Sequence, residues 1–148
     1  MVTTIAFYGV LCAALAYLAL FGGKTGLWGG SLFLATSLLS LAVAVLFRND
    51  AFVRIWLMTL VDVLSLGWRL ALAFLSTRSW PIWVAGFQVN VVAAHVSIWL
   101  VPSWKGELYY AMVTVWAIPT LLAMVIGTLL DLRQEKRALA DERGPRTV

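Results

Sequence analysis

Four polar side chains stand in two pairs, each seven residues apart, within otherwise apolar surroundings: Asp62 with Arg69, and Gln88 with His95. Seven helical residues return to within about 20° of the same face, so each pair marks one stripe of one helix. Thr59 and Ser65 fall on the Asp62 stripe. Asn90 and Ser97 make a second stripe on the later segment, about 200° round from Gln88. An aspartate beside a histidine is the chemistry of a proton relay, because imidazole titrates near neutral pH and a carboxylate tunes it. An arginine at the wall of a cavity can hold an anion or a substrate carboxylate. The six residues Asp62, Ser65, Arg69, Gln88, Asn90 and His95 also have a structural reading. In hydrocarbon, polar side chains find one another, and interhelical hydrogen bonds hold bundles together at about 0.6–2 kcal/mol each.

The elements that must position these groups are two long apolar segments, 54–75 and 80–101. Ser76-Thr77-Arg78-Ser79 separates them, and Pro81 suits the first turn of the second helix. So short a connection makes the helices antiparallel neighbours. A hairpin centred between Arg78 and Ser79 sets His95 level with Asp62, and Gln88 level with Arg69. Two layers are therefore expected, Asp62–His95 in the outer leaflet and Arg69–Gln88 in the inner one. Asp62 and Arg69 lie about 10.5 Å apart along the axis, although a helical side chain leans toward the N-terminus and so brings Arg69 back toward Asp62.

Composition places both segments in a bilayer. Hydrophobic residues make up 62% of the 148 and charged residues 12%, with a mean hydropathy of +0.91. A soluble domain carries about 45–50% apolar and about 25% charged residues. A hydrocarbon core about 30 Å thick needs about 20 helical residues, and five stretches qualify: 4–22, 28–47, 54–75, 80–101 and 108–130. They are continuously apolar, whereas barrel strands alternate over about ten residues. The expected fold is an all-α integral membrane bundle of five transmembrane helices over residues 1–130, followed by a charged tail, 131–148. Gly22-Gly23-Lys24-Thr25-Gly26, Arg48-Asn49-Asp50 and Pro102-Ser103-Trp104-Lys105-Gly106 supply the remaining breaks. The Gly22–Gly26 spacing lies at a loop and is not read as a helix-dimer motif. Met1–Thr4 lacks the Lys or Arg of a signal n-region, so the first segment is expected to be a retained helix.

Trp28, Trp56, Trp80, Trp83, Trp99 and Trp104 lie near segment ends, as interfacial anchors do. With five spans, one side holds seven basic residues (Lys24, Arg78, Arg133, Lys136, Arg137, Arg143, Arg146) and the other holds Arg48, Arg54 and Lys105. The positive-inside rule puts the N-terminus outside and the tail in the cytoplasm. The fifth helix is expected to run on to about Ala140, stopped by Gly144-Pro145. Pro119 should kink it, with Thr114 and Thr120 able to satisfy the backbone again.

Several functions find no support. The net charge of +4 sits at segment ends and in the tail, which fits lipid phosphates rather than nucleic acid. Cys12 is the only cysteine, so no disulfide, CxxC pair or Cys-based zinc site forms within one chain. One histidine cannot supply both axial ligands of a haem. No lysine lies within a span for a Schiff base, and no HExxH, GxSxG or P-loop pattern occurs. No cofactor or metal is expected. Ser65 with His95 and Asp62 is the one conceivable triad, and it lacks a nucleophile turn and oxyanion donors, so no enzyme is expected.

The stretch Trp80-Pro81-Ile82-Trp83-Val84-Ala85-Gly86-Phe87-Gln88, followed by His95, resembles a group of small polytopic membrane proteins of alphaproteobacteria. Upstream Asp62 and the Trp116…Gly127-Thr128-Leu129-Leu130 ending are similar too, so the likeness covers about the C-terminal two-thirds of the chain. The group has no established activity. The resemblance implies a bacterial inner (cytoplasmic) membrane and supplies no mechanism.

Two roles follow from these expectations. One is a small accessory or scaffolding subunit of a larger membrane complex, since short loops leave no soluble domain for catalysis or sensing. The other is a homo-oligomeric carrier or channel for protons or a small solute, its path lined by Asp62, Arg69, Gln88 and His95. Either way the partners are the lipid bilayer and other membrane subunits or further copies of the chain.

Overall fold

The computed structural model describes residues 2–100, 112–113 and 115–142, with side chains described from Gly9 onward and to Asp141. Among them are five helices: α1 (Val2–Phe21), α2 (Gly23–Leu46), α3 (Ala51–Leu75), α4 (Trp80–Leu100) and α5 (Ala117–Glu142). No strand occurs among the described residues. The helices α2 to α5 are each long and apolar enough to cross a membrane, and α1 is an apolar helix of 20 residues. The expected loop at 102–106, the start of the fifth segment at 108–111, Thr114, Trp104, Lys105 and the stop at Gly144-Pro145 lie outside the described residues.

Each helix packs on its neighbour in sequence, and α5 returns to α1, so the five close into a ring with α2 and α5 only loosely in contact across it. Local chemistry sets the corners. Gly23 adopts a positive φ of 57°, a left-handed turn that glycine enters at no steric cost. The corner between α1 and α2 is therefore shorter than expected, and Lys24, Thr25 and Gly26 belong to the first turns of α2 rather than to a loop. Asp50 caps α3, its carboxylate accepting the Val53 N–H at 3.0 Å, which satisfies one of the orphan donors of a helix start. Ser76 in extended backbone ends α3. Arg78 in the following turn reaches Asp131 and Glu135 of α5, both at 3.4 Å.

The core is built from Leu11, Ala14 and Leu18 of α1, Phe33 of α2, Trp80 and Val84 of α4, and Leu121 and Met124 of α5, with Leu72 of α3 against it. Trp80 is its centre. At 1% exposure it is no interfacial anchor, which corrects the expectation drawn from its place at a segment end. Gly29 and Gly127 leave room for it: a Cβ on Gly29 would come within 2.7 Å of the indole, and one on Gly127 would collide with the Trp80 Cβ. Trp28, Trp56, Trp83 and Trp99 are exposed, as anchors are.

The helix breaks at Trp116, and Pro119 falls in the first turn of α5, where its missing N–H is an orphan donor anyway. Thr120 consolidates the new start, its N–H and its hydroxyl both donating to the Trp116 carbonyl, at 3.2 and 2.7 Å.

Candidate functional site

The polar cluster forms where α3 and α4 lie side by side, and Asp62, one residue from the midpoint of α3, is its hub. His95 Nε2 is 2.8 Å from Asp62 Oδ2. The hairpin register is the cause, since it holds the two residues level. Gln88 does not pair with Arg69 as that register implied. Its Nε2 donates to Asp62 Oδ1 at 2.9 Å and to the Asp62 carbonyl at 3.1 Å. A long amide side chain spans one helical turn, and a carboxylate is a better acceptor than anything an arginine offers. Asp62, Arg69, Gln88 and His95 are all buried, and His95 is fully so.

Thr59 fixes how many protons the cluster holds. Its hydroxyl lies 2.8 Å from the Ile55 carbonyl, a contact that only donation can make, which uses its single hydrogen. The same oxygen is 3.2 Å from His95 Nδ1, so Nδ1 is the donor there. The remaining ring nitrogen, Nε2, then meets Asp62 in one of two ways. Either Nε2 is protonated and donates to a carboxylate, or Asp62 is protonated and donates to a neutral ring. In both, these contacts give the Asp62–His95 pair one shared proton.

The other expected members divide. Ser65 is buried but faces α2, within 3.2 Å of the Thr36 hydroxyl, so it does not join Asp62 and His95 in a triad. The Thr36 proton goes to the Leu32 carbonyl at 2.8 Å, which makes Ser65 the donor of the pair. Asn90 is exposed on the outer face of α4, its Nδ2 donating to the Gly86 carbonyl of its own helix at 3.2 Å. It is not part of the cluster. The separation of about 200° between its stripe and that of Gln88 makes this unavoidable once Gln88 faces α3. Arg69 is 6% exposed, with its guanidinium carbon 5.4 Å from the centre of the Phe33 ring, a cation–π contact.

Asp62, Arg69 and Gln88 open onto a cleft of about 280 Å³ between α2, α3, α4 and the start of α5. Phe33, Thr36, Ser37 and Ser40 of α2 line one wall, and Trp116 and Thr120 another. Sequence reasoning passed over the α2 wall. The signal was available: 33, 36, 37 and 40 follow helical spacing on one face. Among the described residues, no three His, Cys, Asp or Glu side chains converge to hold a metal ion. No protein-family model, curated protein or solved structure matches this chain.

Proposed function

We propose that the chain carries or conducts protons or a small solute across a membrane as a homo-oligomer, with the polar cluster of α3 and α4 on the path. The observation that supports this is the proton-holding Asp62–His95 pair beside a cleft that Asp62 itself lines. A bundle that needed only cohesion could use neutral Ser or Asn side chains at lower cost than an ionisable pair at the middle of a span. Helix α1 completes five spans in this reading. The seven-to-three excess of Lys and Arg puts the tail in the cytoplasm and the N-terminus outside. The resemblance to alphaproteobacterial proteins points to a bacterial inner membrane. The test is proton flux into proteoliposomes holding a trapped pH dye. Asp62→Asn and His95→Gln variants that remain folded should lose it; wild-type flux in Asp62→Asn would refute the role of the pair.

A second reading, an accessory or scaffolding subunit of a larger membrane complex, is favoured by Asn90. This polar side chain sits at the middle of α4 on an outward face, where its Nδ2 has the Gly86 carbonyl but hydrocarbon gives its Oδ1 no donor and another helix would. Co-purification from host membranes separates the readings: stoichiometric unrelated subunits, lost in Asn90→Leu, would establish the second. Neither reading assigns bond-making chemistry to the chain.

A further inference from the structure

Arg69 is a buried cation that takes part in no ion pair and no hydrogen bond among the described residues. Asp62, the carboxylate it was expected to lean toward, has its oxygens engaged by Gln88 and His95. Arg69 therefore brings its positive charge to the cleft wall, and Asp62 acts on it through space rather than through an ion pair. An ionised group inside a span faces a partner or a wet cavity, and the Phe33 ring meets only one face of the guanidinium. The planar edge, where the five N–H donors lie, remains to be satisfied.

The cleft that Arg69 lines supplies further donors. Ser37 and Ser40 of α2 lie on its wall, and their hydroxyls make no hydrogen bond among the described residues. Phe33, Val91 and Trp116 make the rest of the lining largely apolar. A volume of about 280 Å³ has room for roughly nine waters at about 30 Å³ each. That suits a small carboxylate or inorganic oxyanion with part of its hydration shell.

We propose that this cleft binds one small, freely soluble oxyanion, with Arg69 making a two-pronged contact and Ser37 and Ser40 donating from the facing helix. Guanidinium geometry matches two oxygens of a carboxylate, nitrate or phosphate at once. That the anion is cargo rests on the carrier reading above; that it binds does not.

The experiment is calorimetric titration of the full chain in phosphatidylcholine nanodiscs with sodium acetate, sodium nitrate or sodium phosphate, ionic strength being balanced with sodium chloride. Saturable binding of at least one of the three is expected. Arg69→Gln should weaken it by about tenfold or more, as removal of a charge-assisted hydrogen bond does. The Ser37→Ala/Ser40→Ala double variant, which breaks no existing hydrogen bond, should weaken it as well. Heats of dilution alone for all three salts would overturn the proposal, as would unchanged affinity in a folded Arg69→Gln. Should Arg69→Gln fail to fold, the double variant decides, and wild-type affinity there overturns it. Arg69-dependent stabilisation by phosphatidylglycerol without any response to soluble salts would assign the site to a lipid headgroup and overturn it too. Binding without flux in proteoliposomes would sink the carrier reading and leave the site intact, whereas flux without binding would sink the site.

Discussion

Replacing Asp62 by Asn and by Leu separates the two ways its hydrogen bonds could be wired. If Nδ1 of His95 donates to Thr59, as the Thr59–Ile55 contact requires, an asparagine fits the hub without loss. Its oxygen accepts from Gln88 and its amide donates to a neutral Nε2, so every partner stays satisfied. Stability should then change by less than about 1 kcal/mol, the scale of exchanging one satisfied hydrogen bond for another. Leucine removes the 2.8 Å contact of Asp62 with the fully buried Nε2 of His95, at about 1–3 kcal/mol. It also removes the 2.9 Å bond from Gln88, worth about 0.6–2 kcal/mol between helices, although Gln88 keeps the Asp62 backbone carbonyl. The leucine variant should therefore be about 2–5 kcal/mol less stable than wild type on these terms. Unfolding midpoints in mixed micelles, titrated with SDS, give the comparison. Equal destabilisation by both substitutions would refute the reasoning: it would mean that Nε2 of a neutral ring donates to Asp62, that an asparagine amide there faces another donor, and that the pair holds no shared proton.

Two further outcomes follow from the packing. Gly127→Ala should cost about 1–3 kcal/mol, as overpacking does, because the added methyl meets the Trp80 Cβ next to rigid backbone; an unchanged SDS midpoint would show that α4 and α5 separate freely. Pro119→Ala should change the same midpoint by less than about 1 kcal/mol, well short of the roughly 3 kcal/mol that a proline costs in a helix interior, since Pro119 lies in the first turn of α5.

The pieces legible in advance were those that helical geometry and chain connectivity fix without reference to a third element. Apolar segments of about 20 residues must be helical in hydrocarbon, because no water is there to satisfy the backbone. Four residues after Leu75 turn the chain before α4, and so short a turn holds Asp62 level with His95 whatever else the protein does. The proline at 81 falls in a first turn for the same local reason.

Other features needed the whole ring. Gln88 chose Asp62 over Arg69 because side-chain reach and acceptor strength decide between neighbours a turn apart, and register does not. Trp80 looked like an interfacial anchor from its position, yet Gly29 of α2 and Gly127 of α5 open a slot for it, and neither helix is near it in sequence. Ser65 was diverted by Thr36 from α2, and Asn90 was turned outward once Gln88 faced inward. The sequence by itself determined that the chain is helical and apolar and that one hairpin carries the polar groups. Only the closure of α1 against α5 and the arrival of α2 decided which of those groups meet, which one faces outward, and that Arg69 ends at the cleft wall without an ion pair among the described residues. Rotation of a helix about its axis is set by the neighbours that pack on it, and those neighbours are distant in the chain.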